Sequence, residues 1–293
     1  MSARGIDLVR AHLAKIPPAT TVAEKRAQYD RAERVFPVQP DVAITRVETP
    51  APAEWLEPPS ARSGAAVVYF HGGGYVIGSP RSHRHLAAAI GQASHASVLL
   101  PDYRLAPEHP FPAAVDDAIA AYRWLLGRGQ TPAGTVFAGD SAGGGLTVAT
   151  LLALREHGLP LPAAAVCISP WVDLSGGGAS YATKAASDPI VTRDGVMEMA
   201  RAYLGSTDAR TPLASPLFAE LTGLPPLLIQ VGSEEVLLDD AVVLAERAKA
   251  AGVEATLEIW PRMIHVWHWF LPMLDEARSA VDAIGDFIQT RTA

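Results

Sequence analysis

The chain has 293 residues, of which 49% are hydrophobic and 19% are charged, so it can bury the core of one large domain. Its formal net charge of −7 argues against nucleic-acid binding, which usually needs a basic surface. The single cysteine, Cys167, excludes an internal disulfide, and its apolar surroundings in the sequence predict a buried core residue. No stretch reaches the ~18 apolar residues of a membrane helix, so we expect a cytoplasmic protein without stable membrane insertion.

The first forty residues predict two helices. Residues 6–16 carry apolar side chains at helical spacing, and a proline pair then interrupts the pattern. Thr21, followed three residues later by Glu24, predicts the capping box of a second helix that runs to about Arg34. These helices would either pack against the main domain or form a lid over a pocket, and the sequence does not separate the two.

Beyond residue 40 the chain alternates between strands and helices, which predicts a mostly parallel sheet with helices on both faces. The predicted strands cover residues 42–48, 65–70, 97–100, 135–138, 163–168, 227–231 and 255–259. The predicted helices cover residues 82–94, 112–127, 143–157, 193–204, 239–252 and 274–289. Residues 175–215 break the alternation, and such an insertion would cover a substrate at the carboxyl edge of the sheet.

A Gly-x-Ser-x-Gly motif at residues 139–143 is placed between a predicted strand and a predicted helix. In this context the motif is typical of a nucleophile elbow, a tight turn that exposes the serine side chain above the sheet. Ser141 is therefore the predicted nucleophile. A glycine-rich turn with an ordinary surface serine is the alternative.

Three consecutive glycines, Gly72, Gly73 and Gly74, follow another predicted strand and His71. Glycines let the backbone approach a ligand closely, and a loop of this kind supplies N–H donors to an oxyanion. We expect the N–H groups of Gly73 and Gly74 to act with that of Ala142. The loop lacks the spacing of a phosphate-binding motif, and we expect His71 to anchor it by hydrogen bonding rather than to react.

The catalytic base of such a protein is a histidine that follows the serine and the acid in the chain. His265 lies in a loop after the last predicted strand, where functional groups gather, and is the predicted base. His268 is expected to pack against Trp267 and Trp269 or to line the site with them, and His157 to lie on the surface at a helix end.

The acid should lie in the turn after the strand at 227–231, where Glu234 and Glu235 are both suitably placed. Spacing does not choose between them. Asp239 and Asp240, a few residues later, are expected to cap the next helix.

Together these motifs resemble the bacterial hormone-sensitive-lipase-like family of carboxylesterases, which has the α/β-hydrolase fold. The two glycine motifs match the signatures of that family, and residues 102–113 (Asp-Tyr-Arg-Leu-Ala-Pro-Glu-His-Pro-Phe-Pro-Ala) match a third. The resemblance covers about residues 65–290. It implies Glu235 as the acid, in the position of the first Asp of the family's Asp-Pro-Leu-x-Asp motif, and a structural role for residues 102–113 in holding the loops behind the site.

The resemblance also implies a helical cap, formed here by residues 1–40 and an insert at 178–212, on a catalytic domain made of residues 41–177 and 213–293. It implies hydrolysis of a small-molecule ester without a metal or organic cofactor, and it allows a homodimer. The aromatic stretch 260–270 is similar to the corresponding stretch of bacterial monoterpene lactone hydrolases, and it would form either core packing or an apolar wall for the substrate. Because the same machinery can attack a lactone or an amide carbonyl, these are alternative substrates. A non-catalytic small-molecule receptor on the same fold is the alternative from another class of protein.

Overall fold

The computed structural model describes residues 3–292, and within that range eight strands form a single sheet in the order β1-β2-β4-β3-β5-β6-β7-β8. The strands are β1 Ala43–Val47, β2 Ala53–Glu57, β3 Ala66–Phe70, β4 Ser97–Pro101, β5 Thr135–Asp140, β6 Ala164–Ile168, β7 Leu227–Gly232 and β8 Ala255–Trp260. Strand β2 is antiparallel to both of its neighbours, and the strands from β4 to β8 are parallel. The loops that follow the parallel strands therefore lie together at one edge of the sheet, where these strands have their carboxyl ends.

Helices cover both faces of this sheet. They are α1 Ala3–Leu13, α2 Val22–Asp30, α3 Ala32–Val35, α4 Pro80–Ser94, α5 Ala113–Gly127, α6 Ala142–Glu156, α7 Ser180–Thr183, α8 Arg193–Leu204, α9 Leu238–Ala250 and α10 Asp275–Arg291. Two short 3₁₀ helices lie at Pro216–Phe218 and Trp267–Phe270.

Alternate residues of the central strands point into two separate cores. In β3, Val68 and Phe70 face the core under α5, α6 and α9, while Val67 and Tyr69 face the core under α4 and α10. All five residues of β3 are buried because both faces of the strand are covered. This explains why the sequences of the central strands are continuous apolar runs and do not alternate between apolar and polar residues.

The predicted sheet and its flanking helices are confirmed, with two local exceptions. Strand β2 (Ala53–Glu57) is not among the predicted strands, and it lies between prolines on both sides. The second N-terminal helix is interrupted at Arg31, so it forms α2 and the short α3 instead of one helix to Arg34. The capping box of Thr21 and Glu24 is present as predicted.

The N-terminal segment lies across the carboxyl edge of the sheet. Its Ile6, Val9, Ala32 and Phe36 pack into an apolar cluster with side chains of residues 263–280, whereas α2 is held largely by polar contacts. Helix α2 has no fully buried residue. Its Arg26 donates hydrogen bonds to the carbonyl oxygens of Val76 and Ala106, both at 2.9 Å, and forms a bidentate ion pair with Glu108. A single arginine therefore joins α2 to the segment that follows the glycine loop and to the 102–113 segment.

Candidate active site

Ser141 occupies the sharp turn between β5 and α6, as the sequence predicts. Its φ of 54° and ψ of −120° are strained for a residue with a side chain. Backbone hydrogen bonds hold this conformation from both sides: the Ser141 N–H donates to Ile168 O at 2.8 Å, and the Ser141 carbonyl accepts from Trp171 N at 2.9 Å. Within residues 3–292, Ser141 Oγ has no hydrogen-bond partner, so it is available to a ligand in the cavity.

The glycines on either side of Ser141 are required by close packing. A Cβ atom on Gly139 would collide with the carbonyl of Gly143, and one on Gly143 would collide with the carbonyl of Phe70 at the end of β3. Because these obstacles are backbone atoms, no side-chain movement could relieve them. The turn can therefore bring β3, β5 and α6 together only with glycine at both positions.

The glycine loop lies opposite this turn. Gly73 and Gly74 have φ values of 116° and 61°, which favour glycine, and a Cβ atom on Gly74 would collide with Met199 of α8. The N–H groups of both glycines, and that of Ala142 at the start of α6, make no hydrogen bond to other backbone atoms of the described chain. Three backbone donors near Ser141 thus have no backbone partner, and two of them belong to residues that line the cavity, Gly73 and Gly74.

His71 is buried behind the loop and does not face the cavity. Its Nδ1 lies 2.8 Å from the carbonyl oxygen of Gly72, and its ring stacks on Tyr103 at a centroid distance of 4.2 Å. The Tyr103 hydroxyl donates to the His71 carbonyl at 2.6 Å, as expected if the 102–113 segment supports the loop. Burial lowers the pKa of His71 to about 3, so the imidazole is neutral at physiological pH.

The two glycine motifs are joined by a side chain, Asp140, and the sequence did not predict this contact. The carboxylate of Asp140, next to Ser141, accepts hydrogen bonds from the Gly72 N–H at 3.1 Å and the Tyr69 hydroxyl at 2.7 Å. His83 Nε2 lies 3.4 Å from the other carboxylate oxygen. Burial raises the pKa of Asp140, but the charge of His83 and the hydrogen bonds lower it more, so the net pKa is below its usual value.

His265 and Glu235 form a buried pair on the other side of Ser141. Glu235 Oε2 lies 2.8 Å from His265 Nδ1, and Glu235 Oε1 accepts hydrogen bonds from Ser169 Oγ at 2.7 Å and Gly232 N at 2.6 Å. Ser169 also accepts a hydrogen bond from Val266 N at 3.2 Å, so one hydroxyl holds both the carboxylate and the backbone beside the histidine. The Glu235 side chain is fully buried, so it has little room for another conformation.

The electrostatics of this pair favour a histidine that attracts a proton. Burial lowers the pKa of His265, but the hydrogen bond and the negative charge of Glu235 raise it more, so the net pKa lies above 6.5. Because Glu235 is bound at Nδ1, the other ring nitrogen, Nε2, is left for a ligand.

The neighbouring carboxylates point elsewhere. Glu234 Oε1 lies 4.0 Å from Lys184 Nζ and accepts a hydrogen bond from Ser233 Oγ at 3.1 Å. Asp239 and Asp240 do not cap α9, contrary to the prediction: Asp239 accepts from Ser180 N at 2.9 Å, and Asp240 accepts from Val172 N and Asp173 N at 3.0 and 2.9 Å. Asp240 thus contacts the loop after β6 and Asp239 contacts the start of α7, and sequence reasoning could not place either segment next to α9.

The other predicted positions agree with the structure. His268 is fully buried, with its ring tilted against that of Trp267 and its Nε2 at 2.7 Å from Gln230 Oε1, and burial lowers its pKa to about 3. His157 is exposed at the end of α6, and Cys167 is buried in β6. None of these three groups lines the cavity described next.

Ser141, His265, Gly73 and Gly74 share one cavity of about 640 Å³. Most of the cavity lining is apolar, with Trp171, Met199 and Trp269 among the larger side chains. Residues from α1, from the α2–α3 segment and from the start of α8 complete the walls. A volume of this size, apolar with a few converging polar groups, is typical of a small-molecule site.

Comparison with known proteins agrees with this geometry. Residues 67–269 match the family model described as alpha/beta hydrolase fold. The chain belongs to the α/β-hydrolases, in the bacterial hormone-sensitive lipase family. A crystal structure of an esterase from that family superimposes with a TM-score of 0.97, at 48% identity and with complete coverage of both chains.

Two curated relatives have names that describe ester or acetyl hydrolysis. An acetyl-hydrolase from Streptomyces hygroscopicus is 52% identical over 274 residues, which is 92% of this chain and 91% of the relative. A carboxylesterase/phospholipase from Mycobacterium tuberculosis is 36% identical over 275 residues, covering 90% of this chain and 74% of the relative. This protein is accordingly a carboxylic ester hydrolase. Among residues 3–292, no helix combines the length and the apolar character needed to cross a bilayer.

Proposed function

We propose that the protein hydrolyses short- to medium-chain acyl esters through a Ser141–Glu235–His265 triad and an acyl-enzyme intermediate. The observation that carries the proposal is the buried Glu235–His265 pair beside a strained, ligand-accessible serine in the same apolar cavity. The components of acyl transfer, which are a nucleophile, an oriented base and N–H donors, converge there.

In the first half-reaction, His265 Nε2 removes the proton of Ser141 as Oγ forms a bond to the ester carbonyl carbon. The Ser141 hydroxyl and the imidazole make no hydrogen bond within the described residues, and the contact would tighten when substrate fills the cavity. Glu235 holds the imidazole by Nδ1 and stabilises the positive charge that it acquires.

The negative charge that develops on the carbonyl oxygen would be stabilised by the N–H groups of Gly73, Gly74 and Ala142. These donors are unused in the free protein, and α6 adds the positive end of its dipole at Ala142. In this proposal His71 and Gly72 support the loop, since their contacts face Tyr103 and Asp140 rather than the cavity.

The protonated His265 would then give its proton to the leaving alkoxide, and the carbon–oxygen bond to the alcohol breaks. A water molecule, deprotonated by His265, attacks the acyl group on Ser141, and the carboxylic acid product leaves with the serine restored. One ester and one water give one acid and one alcohol, with every proton carried by His265.

Residues 1–40 and 178–212 would together act as the cap of the site, on a catalytic domain of residues 41–177 and 213–293. In support, described residues of both segments line the cavity, and Met199 of α8 packs directly on Gly74 of the loop. A cytoplasmic location and a homodimer remain predictions from composition and resemblance.

A substrate panel with an active-site label tests this proposal. The panel comprises p-nitrophenyl esters from acetate to decanoate and small lactones of similar size, each assayed before and after treatment with a serine-directed organophosphate. We expect the highest kcat/KM among acyl chains of about four to eight carbons, complete inhibition, and a single adduct on the peptide that contains Ser141. Preferential turnover of lactones would mean that lactones, and not acyl esters, are the substrate class. An adduct on another peptide would contradict the triad.

A further inference from the structure

The outer rim of the cavity carries unpaired positive charge. Lys15 and Arg31, both exposed, line the cavity together with the half-buried His12. Neither cation forms an ion pair within the described residues. The two side chains come from different parts of the N-terminal segment, one after α1 and one between α2 and α3, yet they open onto the same space.

The carboxylates of the same N-terminal segment all have partners away from the cavity. Asp7 lies near Arg262, Glu24 closes the capping box of α2, and Asp30 and Glu33 contact Arg81. None of these four acidic side chains lines the cavity. The positive rim is therefore not neutralised by its own segment.

Deeper in the cavity, negative charge is scarce as well. Among the described residues that line it, Asp140 is the one carboxylate, and its oxygens are already engaged with Tyr69, Gly72 and His83. A ligand thus meets an apolar interior at the nucleophile and two free cations at the entrance. An ester that is neutral throughout leaves the two cations without a partner.

We infer that the preferred substrates are small esters that carry an anionic group, such as a carboxylate, at the end remote from the reacting carbonyl. This inference rests on the proposed function, because it assigns the inner end of the cavity to the ester group at Ser141. The apolar body of the substrate would fill the cavity while its anionic end meets Lys15 and Arg31 at the rim. The net charge of −7 repels anions at long range, so recognition has to come from this local pair.

Two series of matched esters test the inference. In the acyl series, p-nitrophenyl monoesters of four- to eight-carbon dicarboxylic acids are compared with p-nitrophenyl alkanoates of equal length. In the alcohol series, O-acetyl ω-hydroxycarboxylic acids are compared with acetates of the corresponding simple alcohols, with acid release followed by pH-stat. The readout is the kcat/KM of the charged ester divided by that of its neutral counterpart.

In at least one series we expect this ratio to exceed one at low salt and to decline as ionic strength rises. In the double variant Lys15→Gln/Arg31→Gln the ratio should fall roughly three- to tenfold, the size expected for two exposed charge contacts. The charge-conserving variant Lys15→Arg/Arg31→Lys should retain the ratio. The ratio cancels any general effect of the substitutions on folding or on the chemical step.

Arg34→Gln is the matched control. Arg34 is an exposed arginine of the same segment, but it does not line this cavity, so its removal changes the net charge without changing the ratio. A further arm presents p-nitrophenyl octanoate in phosphatidylglycerol and in phosphatidylcholine vesicles. If charge dependence is seen with the anionic vesicles alone, the rim binds a lipid surface and the inference about the substrate is wrong.

The outcomes of this test and of the functional proposal are distinguishable. If neutral esters are hydrolysed through Ser141 but neither series shows a ratio that depends on Lys15 and Arg31, the inference is wrong and the proposed function stands. If Ser141-dependent hydrolysis is absent for charged and neutral esters alike, the proposed function itself fails.

Discussion

Glu235 Oε2 lies 2.8 Å from His265 Nδ1, and both side chains are buried. The adjacent Glu234 points instead toward Lys184, so two neighbouring glutamates have entirely different surroundings. Glu235 is held by Gly232 N and Ser169 Oγ, whereas Glu234 is half-buried at the edge of the same turn. Because of this difference, a substitution of Glu234 can serve as the control for the same substitution of Glu235.

We expect Glu235→Gln to lower kcat for p-nitrophenyl butyrate by on the order of 10³- to 10⁴-fold, since the amide neither fixes the imidazole tautomer nor stabilises its cation. Glu234→Gln, the matched control one residue away, should change kcat by less than about threefold. Steady-state kinetics on both variants, with circular dichroism to verify folding, make the comparison. The reverse ranking would move the acid to Glu234.

The pH dependence of kcat/KM follows from the same pair. His265 must be neutral to accept the Ser141 proton, so activity falls as the pH drops through its pKa. Because Glu235 raises that pKa, half-maximal kcat/KM should occur above pH 6.5. In Glu235→Gln the carboxylate charge is gone while burial still lowers the pKa of His265. The residual kcat/KM of this variant should therefore begin to fall only at a lower pH than that of the wild-type protein. If kcat/KM of that variant falls at the same pH as in the wild-type protein, a group other than His265 controls the pH dependence.

Arg26 provides a test of the cap that does not touch the reacting groups. Arg26→Ala removes the hydrogen bonds to Val76, Ala106 and Glu108, so the N-terminal helices should dock less firmly. We expect KM for p-nitrophenyl butyrate to rise at least about threefold, with a loss of roughly 1–2 kcal/mol in the free energy of unfolding. Limited proteolysis near residues 14–21 should quicken. Arg34→Ala, an exposed arginine without these contacts, is the control, and equal behaviour of the two variants would contradict the role of Arg26.

Asp240 should make stability depend on pH. Burial raises its pKa to about 8 from 3.8, despite the hydrogen bonds from Val172 and Asp173. The folded protein therefore keeps this proton up to about pH 8, whereas the unfolded chain releases it near pH 3.8, so raising the pH across this window favours unfolding.

Urea denaturation at several pH values measures this effect, as the free energy of unfolding of Asp240→Asn minus that of the wild-type protein. We expect the difference to grow between pH 4 and pH 8, by at most about 1.4 kcal/mol per pH unit. A difference that stays flat for Asp240→Asn would mean that its carboxyl group is ionised throughout.

The sequence predicted those parts of the protein that depend on local chemistry. The Ser141 turn, the glycine loop and the loop position of His265 each follow from residue types next to a predicted strand, and the structure has all three. The buried Cys167 and the buried His268 likewise agree with the predictions from their apolar neighbours.

The parts that escaped prediction depend on contacts between distant segments. Glu235 could not be separated from Glu234 by spacing, because the choice rests on Ser169, which is 66 residues away. The prediction that Asp239 and Asp240 cap α9 is wrong, since their partners lie at the start of α7 and in the loop after β6. Strand β2 is stabilised by pairing with β1 and β4, which outweighs the prolines around it.

Turnover of p-nitrophenyl butyrate by Ser141→Ala tests the central claim most directly. The account predicts that kcat falls at least about 10³-fold while circular dichroism and the thermal midpoint stay close to those of the wild-type protein, because alanine fits the same turn and removes only the nucleophile. Near-wild-type turnover by a folded Ser141→Ala protein would contradict the account.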